Sequence, residues 1–291
     1  MIHHRLFDHG LFGEDVEAGR PLQFPMLELE FAQLSDPGQV REGNEDYLGY
    51  VAPATPEAAN SIGWLFVLAD GGGGHDKGEV ASRTAVDTVL AGFRRATAGE
   101  PHAGLMSRLI QEANTRVMET GLAAPGGGIP MATTLVSCAL RYDRALVAHV
   151  GDSRCYLVRR GQASVLTRDH TLAGEQARMG LLSAQEAADS PNRHLLSRSL
   201  GSGMFVNVET NEHQVLPEDI LVLCSDGLHG AVEASEIAAI VSHKTDLNAA
   251  AQRLVAFANQ QDGSDNISVQ IIRVRSVERV GMYRGRPYRL R

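Results

Sequence analysis

Apolar runs that end abruptly in aspartate and glycine recur along this chain, and they predict both its strands and its chemistry. Trp64-Leu65-Phe66-Val67-Leu68-Ala69 is short, apolar and rich in aromatic and branched residues, the signature of a buried strand. Ile220-Leu221-Val222-Leu223-Cys224 is another. Leu27–Phe31 and Ile267–Ile272 alternate apolar with polar, as strands with one buried face do. Between Thr133 and Thr167 the pattern predicts four more strands, Leu135–Leu140, Ala145–Val150, Cys155–Val158 and Ala163–Leu166. The connections near Tyr142-Asp143-Arg144 and Arg160-Gly161-Gln162 are too short for a parallel crossover, so these strands form an antiparallel meander. This argues against a doubly wound nucleotide-binding sheet. Helical spacing appears over Glu79–Ala96, Leu105–Met118, Ile237–Val241 and Leu247–Asn259, with short helical segments at Leu172–Met179 and Ser183–Ala188 around Gly180.

The strand ends carry the candidate chemistry. The first buried strand delivers Asp70 into Gly71-Gly72-Gly73-Gly74-His75, where backbone without Cβ atoms can come within bonding distance of an ion. Cys224 leads into Ser225-Asp226-Gly227, and Asp265-Asn266 stands at the start of the strand over Ile267–Ile272. Two further acidic clusters follow strand-like runs: Asp36-Pro37-Gly38 with Arg41, Asn44, Glu45 and Asp46, and Gly151-Asp152-Ser153-Arg154. A lone Asp-Gly is usually a turn. Carboxylates at repeated strand ends, without a cysteine or histidine ligand pattern beside them, suit a hard divalent cation such as Mg²⁺ or Mn²⁺.

Read in order, these segments resemble the bacterial form of the metal-dependent (type 2C, or PPM) Ser/Thr protein phosphatases. Ser35-Asp36-Pro37-Gly38 with Arg41, Asn44, Glu45 and Asp46 is similar to the family's first motif, and Asp70 through His75 with Gly78-Glu79-Val80-Ala81-Ser82 to its second. Thr133-Thr134-Leu135-Val136, Gly151-Asp152-Ser153-Arg154, Thr167-Arg168-Asp169-His170, Ser225-Asp226-Gly227-Leu228 and Ser264-Asp265-Asn266-Ile267 continue the order. The resemblance spans residues 27 to 275 and implies an α+β fold: an antiparallel two-sheet β-sandwich flanked by helices in four layers, with metals at one end. The antiparallel meander fits that architecture independently.

The resemblance also implies roles. Asp70 would bridge two Mn²⁺ or Mg²⁺ ions, with the Gly71 carbonyl on one and Asp226 and Asp265 on the other. Glu45 and Asp46 would bind or orient metal waters, Arg41 would grip the substrate phosphate, and Asp152 with Asp226 would support a third metal. The substrates would be phosphoserine and phosphothreonine proteins, with a Ser/Thr kinase as the opposing partner. Residues 168–203 would form a mobile flap, and His75 would orient other groups without being a ligand. Two positions depart from the family pattern. Gly72 stands where eukaryotic relatives place a proposed acid histidine, leaving a metal-bound water to protonate the leaving group. Ala132 precedes Thr133-Thr134 where glycine is common. A catalytically silent phosphoprotein-binding regulator or scaffold on the same fold is the alternative; the complete set Asp70, Asp226 and Asp265 argues against it.

Composition narrows the rest. A chain of 291 residues accommodates one large domain, here residues 26–275, with an irregular extension over 1–25 and a basic tail over 276–291 that reads as a solvated, disordered terminus. The net charge of −8 and the lack of a dense basic cluster exclude a nucleic-acid footprint. No apolar run is long enough to span a bilayer, and no secretory signal pattern is visible. His3 and His4 have no partner cluster. The three cysteines, Cys138, Cys155 and Cys224, form no C-x-x-C pair and read as reduced, buried thiols, so the expected location is cytoplasmic.

Overall fold

The computed structural model describes residues 27–72, 77–124, 131–243, 246–283 and 286–289. The expectations for the N-terminal extension, His3, His4 and His75 lie outside the described residues. Along the chain, β1 (Glu28–Asp36) and β2 (Asp46–Val51) precede the short α1 (Pro56–Ser61) and β3 (Trp64–Gly72). Two long helices follow, α2 (Gly78–Arg94) and α3 (His102–Leu122), then β4 (Ala132–Thr133), β5 (Leu135–Arg141), β6 (Arg144–Val150), β7 (Arg154–Arg159) and β8 (Gln162–Val165). Next come α4 (Leu172–Arg178), α5 (Ala184–Ala188), β9 (Glu209–Gln214), β10 (Ile220–Cys224) and α6 (Asp226–His229). The chain finishes with α7 (Ala234–Ser242), α8 (Leu247–Gln261), β11 (Ile267–Ser276), β12 (Val280–Tyr283) and β13 (Arg286–Arg289).

Two antiparallel sheets pack face to face. One has the order β1-β11-β10-β7-β8 and the other β2-β3-β5-β6-β9, with β4 paired to the end of β3. Phe66, Leu68, Cys138, Val147, Leu221, Leu223 and Ile272 fill the space between them. The alternate residues Leu65, Val67 and Ala69 face outward beneath α2 and α3. Val222, Ile267, Val269 and Ile271 do the same beneath α7 and α8. The result is the expected four-layer order of helices, sheet, sheet, helices. Both faces of β3 are therefore buried, which is why it reads as a continuous apolar run.

Three expectations need correction. The strands from Leu135 to Val165 do not form one meander: β5 pairs with β6 and β7 with β8, but Gly151-Asp152-Ser153 carries the chain from one sheet to the other. Strand β11 is buried on both faces despite its alternation, because the polar Ser268 and Gln270 also point inward, Gln270 donating to the Gly49 carbonyl at 3.1 Å. The basic tail contains the β12–β13 hairpin, with Val280 opposite Arg289. The three cysteines are free and buried. Cys155 and Cys138 come within hydrogen-bonding reach across the sandwich, and that contact, with burial, pushes the Cys155 thiol well up.

Candidate metal centre

Strands that end at the same edge of the sandwich bring the acidic motifs together. Asp46 opens β2 directly opposite Asp70 near the end of β3, and Asp226 begins α6 where β10 stops. Asp265 precedes β11, whose partner β10 leads to Asp226. Asp152 lies in the crossing between the sheets and is 6% exposed, as is Asp46. Repulsion among Asp46, Asp70, Asp152, Asp226 and Asp265 is felt at Asp70 from all four others, so the five carboxylates form one cluster.

Close backbone approach makes the cluster possible. A Cβ on Gly71 would lie 2.1 Å from the Gly78 carbonyl oxygen, and one on Gly78 would lie 2.6 Å from the Glu45 side chain. Only glycine at both places lets β3, the start of α2 and the Glu45 loop meet. Gly71 N–H donates to the Glu45 carbonyl at 3.1 Å, and Ser82 Oγ to the same oxygen at 2.6 Å. Helix α2 has no side-chain cap from its own N-cap residue, Lys77. Its first amide, Gly78 N–H, instead bonds the Glu45 carboxylate and favours its charged form, but burial outweighs this and raises the Glu45 pKa.

Neutral residues steady the acids. Ser225 Oγ donates to Asp46 Oδ2 at 2.7 Å, and Asp70 N–H donates to Thr134 Oγ1 at 3.0 Å. Thr134 and Ser153 hydroxyls share a 2.7 Å hydrogen bond, tying the Asp70 strand to the Asp152 crossing. Asn266 is a three-way staple: its Oδ1 accepts from Glu45 N–H at 2.8 Å, and its Nδ2 donates to the Pro37 and Gly43 carbonyls at 2.9 Å each. Ser225, Asn266, Thr134 and Ser153 all sit in motifs that the sequence displays. Their roles rest on contacts between segments, which periodicity cannot reveal. Ala132, where glycine is common, still pairs with Gly72, and Thr133 with Gly71, so the β3–β4 bridge is intact. A Cβ on Gly72 would meet nothing within 4 Å, so the missing side chain there leaves open space.

Basic groups are scarce. Arg41 Nη2 donates to Asp265 Oδ2 at 3.0 Å in a half-exposed pair. His194, from the 168–203 segment, approaches Asp226 Oδ2 at 3.9 Å through Nδ1. Asp46 and Asp70 have no cationic side-chain partner among the described residues, and Asp46 Oδ1 is buried without any hydrogen-bond partner. Burial first, and neighbouring carboxylates second, raise the Asp70 pKa well above the usual range. Burial also raises Asp46, opposed by the Ser225 hydrogen bond, and raises Asp226, reinforced by Asp265. Asp152 is pushed up to about 7 by burial and then by Asp226. Concentrated, buried, unneutralised oxygen donors with an orphaned lone-pair site fit divalent cations of the Mg²⁺ or Mn²⁺ type.

A second cluster was not foreseen as a group. His149, His170 and Glu209 lie together, with the imidazoles stacked at 4.7 Å and His170 Nε2 3.3 Å from Glu209 Oε2. Gly151 N–H donates to His170 Nδ1 at 3.1 Å, leaving the ring proton on Nε2 and facing Glu209. The three residues offer ligand atoms within 4.8 Å of one another, but Gly151 N–H takes the His170 Nδ1 lone pair and the Nε2 proton faces Glu209, so in this tautomer His170 has no lone pair free for an ion. This cluster buttresses the Gly151-Asp152 crossing.

Comparison with known proteins agrees with the site. The sequence model described as Protein phosphatase 2C matches residues 44–270. The chain is 33% identical over 258 residues to "Serine/threonine phosphatase stp" of Listeria innocua, covering 87% of this chain and 96% of that one. It is 32% identical to "Protein phosphatase PhpP" of Streptococcus pneumoniae, covering 84% and 97%. Among solved structures, the S. agalactiae serine/threonine phosphatase superposes with a TM-score of 0.77 at 32% identity, covering 85% and 100%. The catalytic domain of the phosphatase PstP, solved with two manganese ions, gives 0.73 at 28% identity, covering 86% and 100%. The chain belongs to the protein phosphatase 2C family of metal-dependent Ser/Thr protein phosphatases.

Proposed function

We propose that this protein hydrolyses phosphoserine and phosphothreonine on proteins with two Mn²⁺ or Mg²⁺ ions held by the strand-end carboxylates, in opposition to a bacterial Ser/Thr kinase. The observation that carries this reading is the buried, mutually repelling set Asp46, Asp70, Asp152 and Asp226, with Asp46 Oδ1 unpartnered. In this reading Asp70 and the Gly71 carbonyl hold the ions together with Asp226 and Asp265, while Glu45 and Asp46 orient the waters around them. Asp152 with Asp226 would take a third, weaker ion. Bound cations of this kind supply a water nucleophile at neutral pH and neutralise phosphate charge.

The chain's own groups do the positioning. Arg41 presents a planar fork suited to two phosphate oxygens, and its present partner, Asp265, is itself a proposed ligand. Arg41 and a cation held by Asp265 would thus share one carboxylate, which would place the guanidinium fork beside the metal edge. Ser225 fixes Asp46, and the Thr134–Ser153 bond sets the spacing between Asp70 and Asp152. A cytoplasmic location follows from the proposed substrates; among the described residues no helix is long and apolar enough to cross a membrane.

The test is hydrolysis of p-nitrophenyl phosphate and of a phosphothreonine peptide, with chelator and after Mn²⁺ restoration. Metal-dependent release of phosphate from both supports the reading. Full activity in excess chelator, with metal analysis confirming an empty protein, defeats the metal mechanism. Phosphopeptide binding without turnover in Mn²⁺ would instead identify a silent regulator.

A further inference from the structure

At the end of the β10 sheet away from the carboxylates lies a cavity of about 620 Å³. Strand β10 runs from Ile220 at the cavity to Cys224 beside the metal edge, a separation of about 13 Å at the usual strand rise. Arg159, Arg160, Arg273 and Arg275 line it, against only Glu218 and Asp219. Such a concentration of guanidinium is unexpected in a chain whose net charge is −8.

Internal ion pairs account for some of this charge but not all. Arg159 is committed through Nε and Nη2, in a two-pronged pair with Asp219 at 2.9 and 2.7 Å and a bond to the Gln214 carbonyl. Arg275 pairs with Glu30 and lies 4.0 Å from Glu218. Arg273 is different. Its side chain is 8% exposed, yet among the described residues its hydrogen bonds are a 3.4 Å contact to the already shared Glu30 and a 3.5 Å contact to the His243 carbonyl. A guanidinium has five N–H donors, and a buried one held by two long bonds is undersatisfied. Arg160 is exposed on the β7–β8 turn and its side chain has no partner among the described residues.

We propose that this cavity is a binding site for a phosphate group, separate from the metal centre. Unspent donors arrive from two elements, Arg273 from β11 and Arg160 from a turn. A tetrahedral dianion can accept from both directions, whereas a planar carboxylate is matched by one fork. The apolar flanks at Leu216 and Ile220 leave room for the organic part of a phosphate ester, and the volume is that of a small-metabolite site. The phosphate can come from free inorganic phosphate or from such an ester. The inference does not depend on the proposed catalytic function.

The test uses the full chain stripped of metal, so that neither probe is hydrolysed, with inorganic phosphate and phenyl phosphate titrated by calorimetry and by amide shifts in NMR. The expected result is saturable binding that shifts the Gly161 and Ser242 amides. Arg160→Glu, on an exposed turn, should weaken it about tenfold or more, and Arg273→Gln likewise where that variant folds. Arg41→Ala should leave it unchanged. Equal affinity for the two probes assigns the site to free phosphate; tighter phenyl phosphate binding assigns it to an ester. Absence of binding, indifference to Arg160→Glu, equal competition by acetate, or loss in Arg41→Ala would each overturn the proposal.

Discussion

Asp152 and Asp169 stand on either side of the same piece of structure, and their electrostatics are opposite. Asp169 takes both arms of Arg154, at 2.9 and 2.6 Å, and this pair holds its carboxyl below the usual range against the effect of burial. Asp152 is more deeply buried, faces Asp226 and has no such partner; its carboxyl is pushed up to about 7. Arg154 follows Asp152 by two positions, so a cation is at hand, but its fork is turned to Asp169. The two regions show a division of labour within one motif. The Arg154–Asp169 pair is a self-satisfied brace, whereas Asp46, Asp70, Asp152 and Asp226 are left short of positive charge, as a cation site requires.

The largest effect should come from Asp70, the carboxylate that feels all the others. Asp70→Asn should abolish high-affinity Mn²⁺ binding and lower kcat by several orders of magnitude. It should also raise the melting temperature of the metal-free protein, since the amide removes a buried repulsion. Asp169→Asn should do the reverse: a lower melting temperature and little loss of metal. Calorimetric metal titration together with melting curves on both variants checks the contrast. Near-normal turnover of Asp70→Asn at saturating metal would remove Asp70 from the centre.

The same contrast has a pH signature in the metal-free protein. Asp152 has its folded pKa raised from the usual carboxylate range to about 7, so its contribution to stability is fully present below about pH 4 and is lost as pH rises through 7. At 1.36 kcal/mol per pKa unit the loss is on the order of 4 kcal/mol. Asp169, held low, contributes stability that is present at neutral pH and lost as pH falls through its folded pKa. Denaturant midpoints from pH 4 to 8 should therefore fall more steeply without Mn²⁺ than with it. Asp152→Asn should flatten the slope. A slope unchanged by that variant would show that Asp152 is not strained in the metal-free state.

Breaking the brace is the complementary test. Arg154→Leu leaves Asp169 without its guanidinium and should cost roughly 3 kcal/mol, the low end for a broken buried pair because these side chains are 29% and 25% exposed. The double variant Arg154→Leu with Asp169→Leu should recover much of that loss. Chemical denaturation of the single and double variants gives the coupling. If the single variant is neutral, the pair is not a brace.

These contrasts also explain how much could be read in the sequence. Asp70, Asp226 and Asp265 were legible because each adjoins a strand with a strong apolar pattern, and a strand end is a fixed place in a sheet. The four layers were implied by the family resemblance that the ordered motifs carry. Pairings between distant segments were not legible. Ser225 reaches Asp46 across 179 positions and Asn266 reaches Glu45 across 221, and nothing local in either segment encodes the partner. Nor does any local signal say that the Gly151-Asp152-Ser153 turn changes sheets when the neighbouring Arg160-Gly161 turn makes a hairpin. Both are short glycine turns with positive φ, and what separates them is the packing of β6 beside β9 and of β7 beside β10.

Arg41 offers the smallest and most diagnostic effect, because it joins the two kinds of electrostatics. Its guanidinium is half-exposed and bonded to Asp265, which is itself a proposed ligand, so it is neither a closed brace nor an unpaired charge. If it holds the phosphate equally in ground and transition states, Arg41→Ala should raise KM and leave kcat nearly unchanged. The loss in kcat/KM should be about 1.5–3 kcal/mol, as for a hydrogen bond to a charged group. Arg41→Lys should recover only part, since an ammonium lacks the two-pronged fork. Removing Arg41 also frees Asp265 Oδ2, so Mn²⁺ affinity should hold or rise slightly in Arg41→Ala. Steady-state kinetics beside metal titration separate the two contributions. A fall in Mn²⁺ affinity would mean that Arg41 supports the metal edge structurally, and unchanged KM and kcat would move the phosphate to another part of the site.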